Sequence, residues 1–404
     1  MSARSQWVCV AAMVVLAGSS VIGAESDGGA RRDAPPGGSG TARPAEPVGD
    51  NLIGAYGQWA SALLAQRLPL LSYRNPQFQS LEDWRKQATD KTLDLLCIPD
   101  MPWKPEARVE KQFEFDGLSM EVLSWQLPYG PRTQALFIKP VGAKGRLPAV
   151  LALHDHGGIK GWGVKKITRT PEPRDPTMQD HQATYYGGVA WANELAKHGY
   201  AVLVHDVIGF ASRQPKSDMP EDIMEKSLIC AGTTWAGLMV YDDQRALDYL
   251  CSRPDVDASR VACGGLSGGG LRTVMLGGLD RRIKAAFPVG FMSTWRDFML
   301  YKCHTHTWML YVPRLPNYLD FPEILGLRAP LHTFVLNDSA DPLFTLKEMQ
   351  AADGILREVY KKAGAAENYK CSFYPGGHKF DAAMQKDAFA WLDAVMKPAE
   401  EQRP

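Results

Sequence analysis

The chain has 404 residues, with 45 basic and 45 acidic side chains and no net charge, which excludes a surface selected for nucleic acid or an anionic membrane. Apolar residues make up 45% and aromatics 10%, enough to bury a sizeable core and to exclude global disorder. Seven cysteines are too dilute for a scaffold built on disulfides.

In chain order, Arg4, the apolar run from Trp7 to Gly18 and the small residues around Ala24 form the three parts of an export signal, cut after Ala24. The run is shorter than the roughly 20 residues that span a bilayer, so no stable membrane insertion is expected. The mature chain is expected to be secreted or periplasmic. Residues 25–50 hold few aliphatics and no aromatics, so they cannot recover ordering entropy by burial and read as a flexible linker. Cleavage removes Cys9 and leaves six cysteines. Export permits disulfides, but spacing alone does not pair them. Cys263, inside an apolar strand, reads as a buried thiol.

Residues 51–398 read as a single domain. Residues 51–106 form a helical N-terminal extension, broken near Pro69 and Pro76. Antiparallel strands follow at Val109–Phe115, Ser119–Trp125 and Gln134–Ile138. The pattern then changes to short continuous apolar runs at Pro148–Leu153, Tyr200–Val204, Arg260–Cys263, Ile283–Val289, Leu331–Leu336 and Tyr369–Tyr374. Helix-compatible stretches at Tyr185–His198, Ala231–Cys251, Gly268–Gly278, Leu343–Lys362 and Asp381–Met396 alternate with them. Strands apolar on both faces need helices on both sides. The expected fold is therefore α/β, a mostly parallel mixed sheet with helices on both faces. In such sheets functional groups gather beyond the carboxyl ends of the strands.

Four segments occupy those ends. Gly265-Leu266-Ser267-Gly268-Gly269 is a G-x-S-x-G turn between strand and helix, which lifts a serine hydroxyl above the sheet. The N–H of Gly268 then opens the helix, where it can stabilise an oxyanion. His154-Asp155-His156-Gly157-Gly158 follows an earlier strand and reads as an oxyanion loop, with His156, Gly157 and Gly158 as candidate donors of the second N–H. A zinc reading of His154, Asp155 and His156 lacks further ligands at a sensible spacing, so neither metal nor cofactor is expected. Asp341, in the turn Asp341-Pro342-Leu343-Phe344, is the first choice to orient a histidine; Asp338 is the alternative. His378, in Gly376-Gly377-His378, falls where a general base is wanted. A Gly-rich phosphate loop fits poorly, because neither G-x-G-x-x-G before a helix nor G-x-x-x-x-G-K-[ST] occurs.

The order Ser267, Asp341, His378 is that of α/β-hydrolases. With those four segments, and with the turn from Val204-His205-Asp206 to Gly209 and Ser212, the chain resembles the dienelactone hydrolase and acetyl xylan esterase-like group, and more closely the exported bacterial hydrolases called abhydrolase family 7. The resemblance spans about residues 107–396. It implies a serine nucleophile at Ser267, a base at His378, an acid at Asp341 and no cofactor. Dienelactone hydrolases carry cysteine as nucleophile, so Ser267 favours ester cleavage. Acetyl xylan esterases carry glutamine where this chain has Gly268, which leaves the substrate open.

Long insertions near 159–186 and 291–328 are expected to overhang the strand ends and shape a pocket. The second holds Trp295, Tyr301, Trp308, Tyr311 and Tyr318, aromatics suited either to sugar rings or to a small core of the lid itself. His304-Thr305-His306 reads as pocket or lid packing rather than a metal pair. The sequence thus points to an exported serine hydrolase of short-chain acyl esters, with a small-molecule or carbohydrate ester as substrate. A peptidase of the prolyl-oligopeptidase type is disfavoured, because the N-terminal region is too short for a propeller. A non-catalytic relative is disfavoured by the intact Ser, Asp, His order.

Overall fold

The computed structural model describes residues 51–65, 68–104, 106–215 and 219–397. The expected signal and linker lie outside the described residues. Two helices come first, α1 (Gly57–Ala65) and α2 (Leu81–Leu96). Ser80 caps α2 by accepting from the Asp83 N–H, and Glu82 and Asp83 place negative charge in its first turn. Trp84 stacks on Tyr73 at 4.6 Å, and the Arg85 guanidinium donates to the carbonyls of Leu327 and Ala329, so this extension is tied to the main body.

Nine strands follow: β1 (Arg108–Phe115), β2 (Leu118–Trp125), β3 (Thr133–Pro140), β4 (Leu147–Ala152), β5 (Ala201–His205), β6 (Val256–Leu266), β7 (Ile283–Val289), β8 (His332–Asp338) and β9 (Tyr369–Tyr374). They form one sheet in the order β1-β2-β3-β5-β4-β6-β7-β8-β9. The first three run antiparallel, β3 pairs antiparallel with β5, and every pair from β5 to β9 is parallel. This is the mixed, mostly parallel sheet that the apolar runs predict. Edge strand β1 is mostly exposed and carries Arg108, Glu110, Lys111 and Glu114, charges that discourage pairing with another chain.

Between the strands lie α3 (Pro176–Tyr186), α4 (Trp191–Lys197), α5 (Glu221–Cys230), α6 (Trp235–Ser252) and α7 (Gly268–Leu279). After β7 come α8 (Trp295–Asp297), α9 (Leu315–Tyr318), α10 (Phe321–Gly326), α11 (Leu346–Lys362) and α12 (Ala382–Met396). Trp191 and Leu195 of α4 pack with Met384 and Leu392 of α12 on one face of the sheet. Leu247, Val274 and Leu356, from α6, α7 and α11, share a core on the other. Both faces are covered, as continuous apolar strands require. The fold is that of an α/β-hydrolase.

Two expected helices differ. The stretch Tyr185–His198 is two helices, because Gly187 and Gly188 both take positive φ and end α3. The stretch Ala231–Cys251 starts later, at Trp235 under a Thr234 cap, and α5 precedes it. No helix among the described residues is long and apolar enough to cross a membrane.

Candidate active site

Strand β6 delivers Ser267 between sheet and helix, with φ 60° and ψ −116°, a strained conformation for a non-glycine residue. Its N–H is held by the Val289 carbonyl at 2.9 Å, so the turn is anchored to β7. The flanking glycines answer to close approaches. A Cβ on Gly269 would lie 2.1 Å from the Leu153 carbonyl oxygen, so only glycine lets α7 pack on the end of β4. A Cβ on Gly268 would lie 2.9 Å from the His156 backbone nitrogen, which places the two candidate oxyanion donors side by side. The Gly268 N–H also belongs to the first turn of α7, where N–H groups lack helical partners.

His378 Nδ1 and Asp341 Oδ2 are 2.6 Å apart. The other Asp341 oxygen accepts from the Leu343 N–H at 2.9 Å, which fixes the carboxylate. His378 Nε2 is buried with no hydrogen-bond partner among the described residues, and His378 and Ser267 line the same cavity, of about 420 Å³. Burial opposes a charge on the His378 ring, but the Asp341 carboxylate outweighs it and raises the pKa. Asp338, the alternative acid, instead accepts from the Lys379 N–H at 3.1 Å. Burial, reinforced by the Asp341 charge, pushes its carboxyl up to about 7. The geometry thus joins Asp341 to His378 and leaves Asp338 outside the pair.

The oxyanion loop is equally specific. The Gly158 N–H donates to His156 Nδ1 at 3.1 Å, so it is engaged within the loop. His156 Nε2 meets Glu221 Oε1 at 2.5 Å, and Glu221 Oε2 accepts from the Trp308 N–H. Burial works against the Glu221 charge, but the His156 bond outweighs it and holds the carboxyl at about 2. His154 Nδ1 turns back to the Asp155 carbonyl, while Asp155 Oδ2 takes His181 and Tyr186. The side chains of His154, Asp155 and His156 therefore point to separate partners rather than to one ion. Cys263 is buried, and its thiol is pushed up to about 12 by that burial.

Both insertions contribute to the cavity wall. From the first, Tyr185 lines it; from the second, Phe291, His304–Thr307 and Leu310 do. Trp295 stacks on Phe321 at 3.9 Å and packs edge-on to Phe298, while Trp308 is 40% exposed away from the cavity. Large aromatics bury more area against each other than beside a wet cleft, so the lid built its own core. His306 packs between Phe298 and Phe344, and burial drops it to about 4. Glu221, in the cavity wall, escaped the sequence reading, because its histidine partner lies 65 positions away and no motif surrounds it.

The family model described as acetyl xylan esterase (AXE1) matches residues 110–308. The Bacillus subtilis protein YtaP, assigned as a hydrolase, is 31% identical over 276 residues, covering 68% of this chain and 87% of its own. Among solved structures, a Bacteroides fragilis protein assigned as an acetyl xylan esterase superposes with a TM-score of 0.62 at 17% identity, covering 78% of this chain and 81% of its own. A glucuronoyl esterase from Solibacter usitatus gives 0.61 at 15% identity, covering 82% and 98%. With its mixed sheet and strand-end turns, the chain belongs to the acetyl xylan esterase family of α/β-hydrolases, and it is an esterase.

Proposed function

We propose that the protein is an exported serine carboxylic-ester hydrolase that removes short acyl groups, with acetylated carbohydrate as the substrate class. Ser267 attacks the acyl carbonyl, and His378 Nε2 takes its proton. His378 then returns that proton to the leaving alkoxide, and water, activated by the same ring, releases the acid. Asp341 holds His378 in the tautomer that presents Nε2. The N–H groups of Gly268 and His156 stabilise the oxyanion. The observation that carries this reading is the 2.6 Å contact of His378 with Asp341, with the unpartnered Nε2 lining the same cavity as Ser267.

The cavity supports a small neutral ester. Leu266, Leu271, Leu310, Leu343 and Phe344 offer apolar contact for an acyl chain, while Glu221, His304, Thr305 and Thr307 offer polar contact for a hydroxylated alcohol. Residues 1–24 act as the export signal in this reading, and residues 25–50 tether the catalytic domain of residues 51–398. Purified protein and Ser267→Ala, assayed on p-nitrophenyl acetate and acetylated xylan, test it. Release of acetate from both by the parent and by neither in the variant is expected. Equal activity in the variant overturns the nucleophile, and activity on the first alone overturns the carbohydrate.

A further inference from the structure

Lys166 is fully buried, yet it lies beside the oxyanion loop rather than in a salt bridge at hydrogen-bond distance. Its Nζ donates to the Asp155 carbonyl at 3.0 Å and to the His156 carbonyl at 2.6 Å. Asp155 Oδ1 is 3.8 Å away and supplies the countercharge. The turn carrying it, Val164–Lys166, is itself built in. Asp206 at the end of β5 accepts from the Val164 N–H at 2.9 Å, and the Gln182 side chain of α3 donates to the carbonyls of Lys165, Lys166 and Thr168. A buried ammonium is costly, so a fold that keeps one supported from three sides uses it for more than packing.

The consequence follows from peptide geometry. In a trans peptide the C=O and N–H point in opposite directions. The Asp155 carbonyl shares its peptide with the His156 N–H, and the His156 carbonyl shares its peptide with the Gly157 N–H. A cation that draws both carbonyls to one side turns both N–H groups to the other. That side is where the His156 nitrogen lies against Gly268. An ammonium on a carbonyl also polarises the peptide and makes its N–H a stronger donor.

We propose that Lys166 is a positioning residue for ester hydrolysis, holding the carbonyls of Asp155 and His156 so that the His156 N–H faces the developing oxyanion. This rests on the assignment of Ser267 and the oxyanion donors made above. Lys166 touches neither substrate nor the reacting atoms; it acts through the backbone. Removing it loosens transition-state stabilisation and leaves ground-state binding in place, a loss in kcat rather than in KM.

The test uses the full chain with Lys166→Met, and Asp155→Asn/Lys166→Met, which removes both charges together. Folding is checked by thermal unfolding, and Ser267→Ala is run alongside. Expected is a fall in kcat on p-nitrophenyl acetate of about 10–100-fold, below the roughly 10²–10³ of losing a donor outright. KM should stay within about twofold. Affinity for a trifluoromethyl ketone, whose adduct carries an oxyanion, should fall by the same factor as kcat/KM. A merely structural role would lower the folded fraction and leave ketone affinity per folded molecule unchanged. A folded variant with parental kcat/KM and ketone affinity overturns the proposal. Should neither variant fold, the ketone adduct of the parent protein decides. The oxyanion is expected about 2.7–3.1 Å from the His156 nitrogen, with Lys166 still on both carbonyls. An adduct on Ser267 whose oxyanion avoids His156, or a Lys166 turned away, refutes this inference alone. An adduct formed elsewhere than Ser267 refutes the assignment it rests on.

Discussion

His378 places activity and stability on opposite sides of one titration. Its pKa is raised in the folded state, because the Asp341 carboxylate outweighs burial. The ion pair therefore stabilises the fold fully below the unfolded histidine value, and this contribution is lost as pH rises through the folded value. Nε2 can accept the Ser267 proton only once the ring is neutral, so activity rises as that stabilisation fades. The acid limb of kcat/KM is expected to have its midpoint above the ordinary histidine value. In Asp341→Asn the midpoint should move down and kcat should fall by about 10⁴-fold, the scale of losing a triad acid; an unmoved limb would detach Asp341 from His378. Asp338 behaves differently. Burial first, then the Asp341 charge, raises it to about 7, so its favourable contribution is present below the unfolded carboxyl value and disappears as pH passes about 7. Asp338→Asn should retain most of kcat, and its unfolding midpoint relative to the parent should be higher at pH 8 than at pH 5. The sequence ranked Asp341 ahead of Asp338 without excluding it, because the two lie three positions apart and the choice depends on which way the chain after β8 folds back toward β9.

At the scale of elements, the turn after β6 does two jobs with adjacent glycines. Gly269 lets α7 lie against Leu153, and Gly268 leaves room for the His156 N–H. Gly269→Ala drives a methyl into backbone and should cost at least the roughly 1–3 kcal/mol of core overpacking, read as a lowered unfolding midpoint. Gly268→Ala should leave the midpoint closer to the parent but reduce kcat, by crowding the donors. The reverse pattern would mean that the turn serves packing alone. The strand-end turns were legible because their signals are local: a buried apolar run, then Gly beside Ser or His. The elements that support them were not. α3 was hidden in what reads as a loop, and α5 has no cap among its neighbours that a pattern could find. Lys166 bonds to backbone carbonyls and Glu221 to a distant histidine, and neither partnership leaves a spacing in the chain.

At the scale of the molecule, one sheet brings four turns from β4, β6, β8 and β9 to a single edge, so the chemistry depends on the whole domain. The strand alternation made that arrangement readable, since continuous apolar strands dictate parallel pairing and parallel pairing sets where the turns emerge. The content of the cavity was less legible, because lid aromatics can pack with each other or face a ligand with the same composition. The proposed export belongs to this scale too. Expressed from its full sequence in a bacterium, the protein should be recovered outside the cytoplasm with Glu25 as its first residue, as read by N-terminal sequencing; an intact Met1 in that fraction would contradict the signal.

The central claim is that Ser267 is the nucleophile. Labelling the protein with a fluorophosphonate and mapping the modified peptide tests it most directly. One label per chain on Ser267, with ester hydrolysis lost in step with labelling, is the predicted result. A label on another residue, or full hydrolysis by a chain fully labelled at Ser267, would contradict it.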